Sequence, residues 1–274
     1  MVISAVMLFS CDKIEDDRYH IIQKEDVTVE FPVLDKNSVY RKILLDEFTG
    51  HMCTNCPAGH AILNDLHSRY GDTLVIMGIH YGALAKPFGS TFSYDFRTEA
   101  GNAIGDYFNI DGIPVAVVNR ELKSGGWQRE QWSSVVANVD RTDVSAAIQI
   151  VNQYDPENKI VKANAKVTML TDYPHPLQLA FYMIEDNVIK PQKNGTQTVT
   201  EYTHNHVLRA SFSPKPFGEI LNNGEILLKD GEYTMASVLK FDNLDLNLDN
   251  CSVVAVLYDK ANDLVLQVES LKIK

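Results

Sequence analysis

The chain has 274 residues, 45% of them hydrophobic and 22% charged, which fits folded modules and leaves room for two ordinary domains. A formal charge of -11 argues against sequence-independent nucleic-acid binding and against simple electrostatic adhesion to anionic lipid, since both need a surplus of Lys and Arg. Four cysteines are too few to staple a chain of this length, and no apolar run approaches the ~18 residues of a membrane-spanning helix.

Residues 1–10 are uncharged and largely apolar, and they run directly into Cys11. Leu8-Phe9-Ser10-Cys11 resembles a bacterial lipobox, with Leu three positions before the cysteine and a small residue next to it. The resemblance implies a signal peptide over 1–10, cleavage before Cys11 and a thioether from that thiol to diacylglycerol. No basic residue precedes the apolar stretch, which departs from the usual pattern, and an ordinary N-terminal strand is the plain alternative. Asp12, Glu15, Asp16 and Asp17 follow, in a predicted tether over 11–36. They resemble the acidic signal that directs Bacteroidetes lipoproteins to the outer face of the outer membrane, and they also read as a plain charged linker.

Residues 39–48 are rich in strand formers and apolar through the middle, as in a buried strand. Cys53-Thr54-Asn55-Cys56-Pro57 comes next, and from Pro57 the period changes. Ala58, Ala61, Ile62, Leu63, Leu66 and Tyr70 recur at three- and four-residue steps, which predicts an amphipathic helix ended by Gly71. Residues 73–80 read as a second buried strand, 81–96 as an inserted loop and 98–108 as a helix. A Cys-x-x-Cys at a helix N-terminus puts its first thiol near free backbone N–H groups and the helix dipole, which favour a thiolate; the second thiol, about one turn on, can close a disulfide.

Strand, Cys-x-x-Cys, helix and strand in that order resemble thioredoxin. An acid six residues before the first cysteine, followed by Phe, matches Glu47-Phe48. Asp111-Gly112-Ile113-Pro114-Val115 matches the segment that carries a cis-proline beside the disulfide. The resemblance implies that Cys53 is the nucleophile, that Cys56 resolves the mixed disulfide, and that Glu47 moves its proton. Ile113 and Pro114 would then bind the substrate chain. Asp46 is the alternative inward acid on the same strand. His51 and His60 flank the cysteines, so a zinc site is open by residue type, but no second Cys-x-x-Cys exists to complete one. No metal and no cofactor are expected.

Beyond residue 143 the pattern becomes short β segments at 146–151, 160–169, 177–184, 206–212, 233–239, 252–258 and 264–273, separated by turn residues. That spacing predicts an all-β, immunoglobulin-like sandwich over 144–274, following a thioredoxin-like α/β domain over 37–143. Cys251 opens one segment and reads as a buried free thiol. His204 and His206, on one side of a strand, form either a metal-ligand pair or a hydrogen-bonded surface feature.

The lipobox, Phe48-Thr49-Gly50 with Cys53-Thr54-Asn55-Cys56-Pro57, the Ile113-Pro114 to Asn119-Arg120 segment and His204-Asn205-His206-Val207-Leu208-Arg209 together resemble the Omp28-related family of Bacteroidetes lipoproteins. The resemblance implies an outer-membrane lipoprotein, anchored through Cys11 on the periplasmic or cell-surface face, with a thioredoxin-like domain. Two functions follow. One is a thiol–disulfide oxidoreductase acting on protein thiols or disulfides. The other is a non-catalytic surface module in which Cys53–Cys56 is a structural clip and the β-rich half binds an envelope protein or a glycan.

Overall fold

The computed structural model describes residues 18–22, 26–121 and 124–274; Cys11, the expected signal peptide and residues 12–17 lie outside them. The first half supplies strands β1 (Tyr19–Ile22), β2 (Ile43–Thr49), β3 (Leu74–His80), β4 (Val115–Val118) and β5 (Trp127–Gln128). It also holds helices α1 (Cys56–Tyr70), α2 (Glu99–Tyr107) and α3 (Trp132–Ala137). The second half is made of strands: β6 (Ala146–Asp155), β7 (Ile160–Met169), β8 (Gln178–Glu185), β9 (Val188–Asn194) and β10 (Gln197–His204). β11 (Val207–Ser211), β12 (Glu219–Ile220), β13 (Glu232–Phe241), β14 (Cys251–Asp259) and β15 (Leu264–Lys272) complete it. The result is a mixed α/β fold dominated by strands.

Helix α1 forms where the periodicity predicts it, with Pro57 in its first turn, where a missing N–H costs nothing. Gly71, at φ 50°, ends it, and its N–H donates to His67 O. Leu63 and Leu66 are buried against Ile43, Leu45, Leu74 and Ile76, so α1 covers one face of β2 and β3. Leu44, Phe48, Val75, Met77 and Ile79 point the other way, into a core shared with Ile104 and Phe108 around α2. Every residue of β2 and β3 is buried, the signature of strands covered on both faces.

Strand β2 runs parallel to β3 and antiparallel to β4. The sheet does not stop at β3. Its order is β15-β14-β8-β11-β3-β2-β4-β5, with β12 on β8, so strands from both sides of residue 143 share one sheet. The junction is the parallel pairing of Val207 with Gly78, where Gly78 N–H donates to His206 O at 2.7 Å. A Cβ on Gly78 would stand 3.3 Å from that oxygen, so glycine lets the two backbones close. A second sheet, β1-β13-β7-β6, lies over the far end of the large one. Between them Val167, Phe181, Met183, Leu239 and Leu257 form the sandwich core.

One polar link crosses this arrangement. After β4, Asn119 and Arg120 both adopt left-handed backbone (φ 50° and 53°), which turns the chain back under the sheet. Asn119 exchanges bonds with Leu44, its Oδ1 accepting from Leu44 N–H at 3.0 Å and its N–H donating to Leu44 O at 2.8 Å. Arg120 is fully buried; its Nε donates to Asp46 Oδ2 at 2.8 Å and its Nη1 to Tyr182 Oη at 2.9 Å. The guanidinium also lies 5.2 Å from the Tyr182 ring centroid and 5.4 Å from that of Phe217. Burial works against its charge, and the adjacent Asp46 carboxylate outweighs that and holds Arg120 charged. Arg120→Leu, which strands Asp46 in the core, should therefore lower stability by about 3–5 kcal/mol. Arg120→Lys should recover little of it, because the planar fork that reaches both Asp46 and Tyr182 is gone. Urea unfolding of the three proteins measures both effects.

Candidate functional site

Cys53 and Cys56 form a disulfide at the start of α1, with their Cα atoms 5.5 Å apart. Asn55, the residue at the N-cap, offers no side-chain bond; the Cys56 N–H donates to Cys53 Sγ at 3.1 Å. Once the disulfide is reduced, that amide and the helix N-terminus favour a thiolate on Cys53. The Ile113–Pro114 bond is cis, as expected from the sequence, and Ile113 O lies 3.8 Å from Cys53 Sγ.

The pattern of short β segments gives no hint of what covers this disulfide. β9 and β10 pair as a hairpin, turned at Gly195-Thr196, that reaches out of the second half onto the Cys53 loop. Lys193 N–H donates to His51 O at 2.8 Å and Gly195 N–H to Thr54 O at 3.0 Å. The Gln192 side chain, wholly buried, donates through Nε2 to Cys53 O at 2.9 Å. Cys53 is left 2% exposed. The Asn194-Gly195 pair was a visible turn signal, but the strands around it are largely polar and do not alternate cleanly.

Asp46 and Glu47 were alternatives for the inward acid, and both are buried, at 0% and 3% exposure, on opposite faces of β2. Asp46 serves Arg120. Glu47 and Thr49 project toward α1, where His60 Nε2 lies 3.3 Å from Glu47 Oε1 and 3.0 Å from Thr49 Oγ1. On the other side of that ring, Nδ1 is 2.7 Å from Tyr202 Oη on β10. His80 from β3 and His204 from β10 close the cluster, with ring centroids 5.5 Å apart. Neither ring nitrogen of His80 is hydrogen-bonded. Glu47, Thr49, His60, His80, Tyr202 and His204 line a cavity of about 40 Å³, room for one water.

The four imidazoles around the disulfide differ in charge. Burial lowers His51, lowers His80 well below the ordinary range, and takes His204 down to about 3. Burial also opposes charge on His60, but the Glu47 carboxylate prevails and raises it. His206, expected to share a strand face with His204, does not. β10 ends at His204, and His206 takes φ 56° and turns to Asp186, its Nδ1 3.2 Å from Oδ1. Among the described residues no three His, Cys, Asp or Glu side chains converge to hold a metal ion. Cys251 is a buried free thiol, with its pKa pushed up to about 12 by desolvation.

A sequence profile of the family described as outer membrane protein Omp28 matches residues 101–274. No curated protein matches the chain. By structure it is similar to HBP35 of Porphyromonas gingivalis, at TM-score 0.63 and 18% identity over 86% of this chain and 76% of that one, a likeness of fold. A protein of Agrobacterium tumefaciens follows at TM-score 0.49 and 8% identity, covering 86% of this chain and 96% of that one. A domain of the outer membrane lipoprotein Omp28 from Porphyromonas gingivalis aligns at TM-score 0.32 and 20% identity, covering 48% of this chain and 90% of that domain.

The histidines make the fold sensitive to acid. A histidine with a depressed folded pKa adds stability above its unfolded value of about 6.5 and loses it as pH falls toward the folded value. His51, His80, His204 and His206 are of this kind, whereas His60 is raised and keeps its contribution in acid. His204 alone should forfeit about 2 kcal/mol at pH 5, lowering the melting temperature by roughly 4–8 °C. Calorimetry between about pH 7 and 5 checks this, and His204→Gln should flatten the slope.

Proposed function

Since the chain belongs to the Omp28 family of outer membrane proteins, we propose that it acts there as a lipid-anchored thiol–disulfide oxidoreductase whose Cys53–Cys56 couple is gated by the β9–β10 hairpin. The observation that carries this reading is the setting of Cys53. Its sulfur accepts the Cys56 amide at 3.1 Å and faces the carbonyl that precedes the cis-proline, a setting that favours a good attacking and leaving thiolate. The parallel β2–α1–β3 unit, with β4 antiparallel beside it, supports a thioredoxin-like reading of residues 37–143. Cys53 is the nucleophile, Cys56 the resolving thiol and Glu47 the proton carrier. Ile113 and Pro114 form the edge that meets an extended protein substrate. Cys11 carries the lipid.

The burial of Cys53 at 2% exposure favours a second reading, in which the bridge stays closed and the β-rich half binds an envelope protein or a glycan. The reduction potential separates the two: a structural bridge lies below about -300 mV and a catalytic couple well above it. Under the gated reading, dithiothreitol reduces the native protein at a rate proportional to the fraction of molecules whose hairpin tip, Gln192 to Gly195, stands open. Gln192→Ala removes the buried side-chain bond to Cys53 O and should speed that step about fivefold or more. Timed thiol trapping reads the rate, and equal rates in the two proteins would remove the gate. Cys11→Ala should move the protein from the membrane fraction to the soluble one.

A further inference from the structure

We propose that His60, held between Glu47 and Tyr202, stores the proton that the buried Cys56 thiolate takes up when the disulfide opens, so that the hairpin which covers the couple also completes its proton path. This rests on the redox reading above and adds to it a positioning residue and a role for β10.

Cys56 is fully buried, and a thiolate released there pays a heavy desolvation penalty unless it is protonated at once. His60 follows Cys56 by four residues on α1, so the two share a helix face one turn apart. The site around the ring suits both of its protonation states. As imidazolium, Nε2–H points to Thr49 Oγ1, with Glu47 Oε1 3.3 Å from Nε2 as counter-charge, and Nδ1–H points to the Tyr202 hydroxyl oxygen. As neutral imidazole, Nδ1 accepts from the same hydroxyl, because a phenol can donate or accept. The titratable groups that line the cavity with the ring are Glu47 from β2, His80 from β3, Tyr202 and His204 from β10, and His206 just after it; Thr49 from β2 adds a hydroxyl. Glu47 is the one carboxylic acid among them, and burial disfavours charge on His80, His204 and His206, so a proton in this cavity settles on the Glu47–His60 pair. The Tyr202 ring is half-buried and leads it outward.

The chemistry balances with a dithiol as reductant. One of its thiolates attacks Cys53 Sγ, forming a mixed disulfide; the Cys53–Cys56 bond breaks, and its electron pair leaves on Cys56. Cys56 takes a proton from the Glu47–His60 pair, which is refilled from solvent past Tyr202. The second reductant thiolate then attacks the reductant's own sulfur in the mixed disulfide, closing the reductant's disulfide and releasing Cys53 as thiolate against the Cys56 amide. Two electrons pass from the dithiol to the protein.

The test follows reduction of the full chain by dithiothreitol across about pH 6–9, with the rate expressed per reductant thiolate. For the wild type this rate should fall at least about tenfold as the pair deprotonates, a conservative floor beneath the ~100-fold or more that a positioned general acid contributes. His60→Asn should lack that step and stay at the lower rate throughout. Tyr202→Phe removes the Nδ1 partner of both forms, but the bond made by the imidazolium is charge-assisted and the stronger of the two, so the variant should keep the step and move its midpoint to lower pH. A wild-type step that persists in His60→Asn, a midpoint unmoved in Tyr202→Phe, or a flat wild-type profile overturns the proton store and leaves the oxidoreductase reading standing. A native disulfide that dithiothreitol does not reduce at all ends both.

Discussion

The contact between Asp46 and Arg120 is the constraint on which the rest of the molecule depends. A guanidinium with no exposure can be tolerated only if its charge is answered on the spot. Asp46 answers the charge from the central strand, and Tyr182 answers a second donor from a strand more than sixty residues downstream. Neither half can satisfy Arg120 alone. The link therefore ties β8 to β2 across β11 and β3, the two strands between them, and the large sheet is built across the chain's midpoint.

β2 then does opposite things on its two faces. Alternation sends Asp46 to the face where the halves join and Glu47 to the face under α1. Along the α1 face the residues change from apolar Ile43 and Leu45 to polar Glu47 and Thr49, while β3 goes from Leu74 and Ile76 to Gly78 and His80. The polar end coincides with the disulfide end of α1. A helix packed on such a strand pair is anchored by hydrocarbon at one end and presents titratable groups to the sulfur atoms at the other.

Much of the first half was legible because its signals are local. Pro57, the three-and-four spacing after it and Gly71 define α1 within a few residues, and the setting of Pro114 before an apolar run indicated a cis bond. Seven of the ten strands of the second half were legible from turns and β-formers. What could not be read was pairing. Gly78 looks like any strand glycine until His206 is placed against it, and Arg120 looks like a surface residue until Tyr182 and Phe217 enclose it. The choice between Asp46 and Glu47 dissolved because a strand covered on both faces buries both. The β9–β10 hairpin was missed for a related reason. Its apolar content is low, and it is held by bonds to the backbone of a loop some 140 residues earlier, as from the Gln192 side chain to Cys53 O. The apparent His204–His206 pair was separated by one left-handed residue, which period-two reasoning does not foresee.

The separation of the disulfide from its cover along the chain sets an order of events. A polypeptide delivered N-terminus first presents Cys53 and Cys56 well before Gln192 and Tyr202 have emerged. In that interval the thiols are open to any oxidant outside the cytoplasm, and the open edge of β3 at Gly78 awaits its partner. Arrival of residues 188–211 closes both at once. A bond made in that interval is formed while the protein is incomplete and sequestered when it is whole.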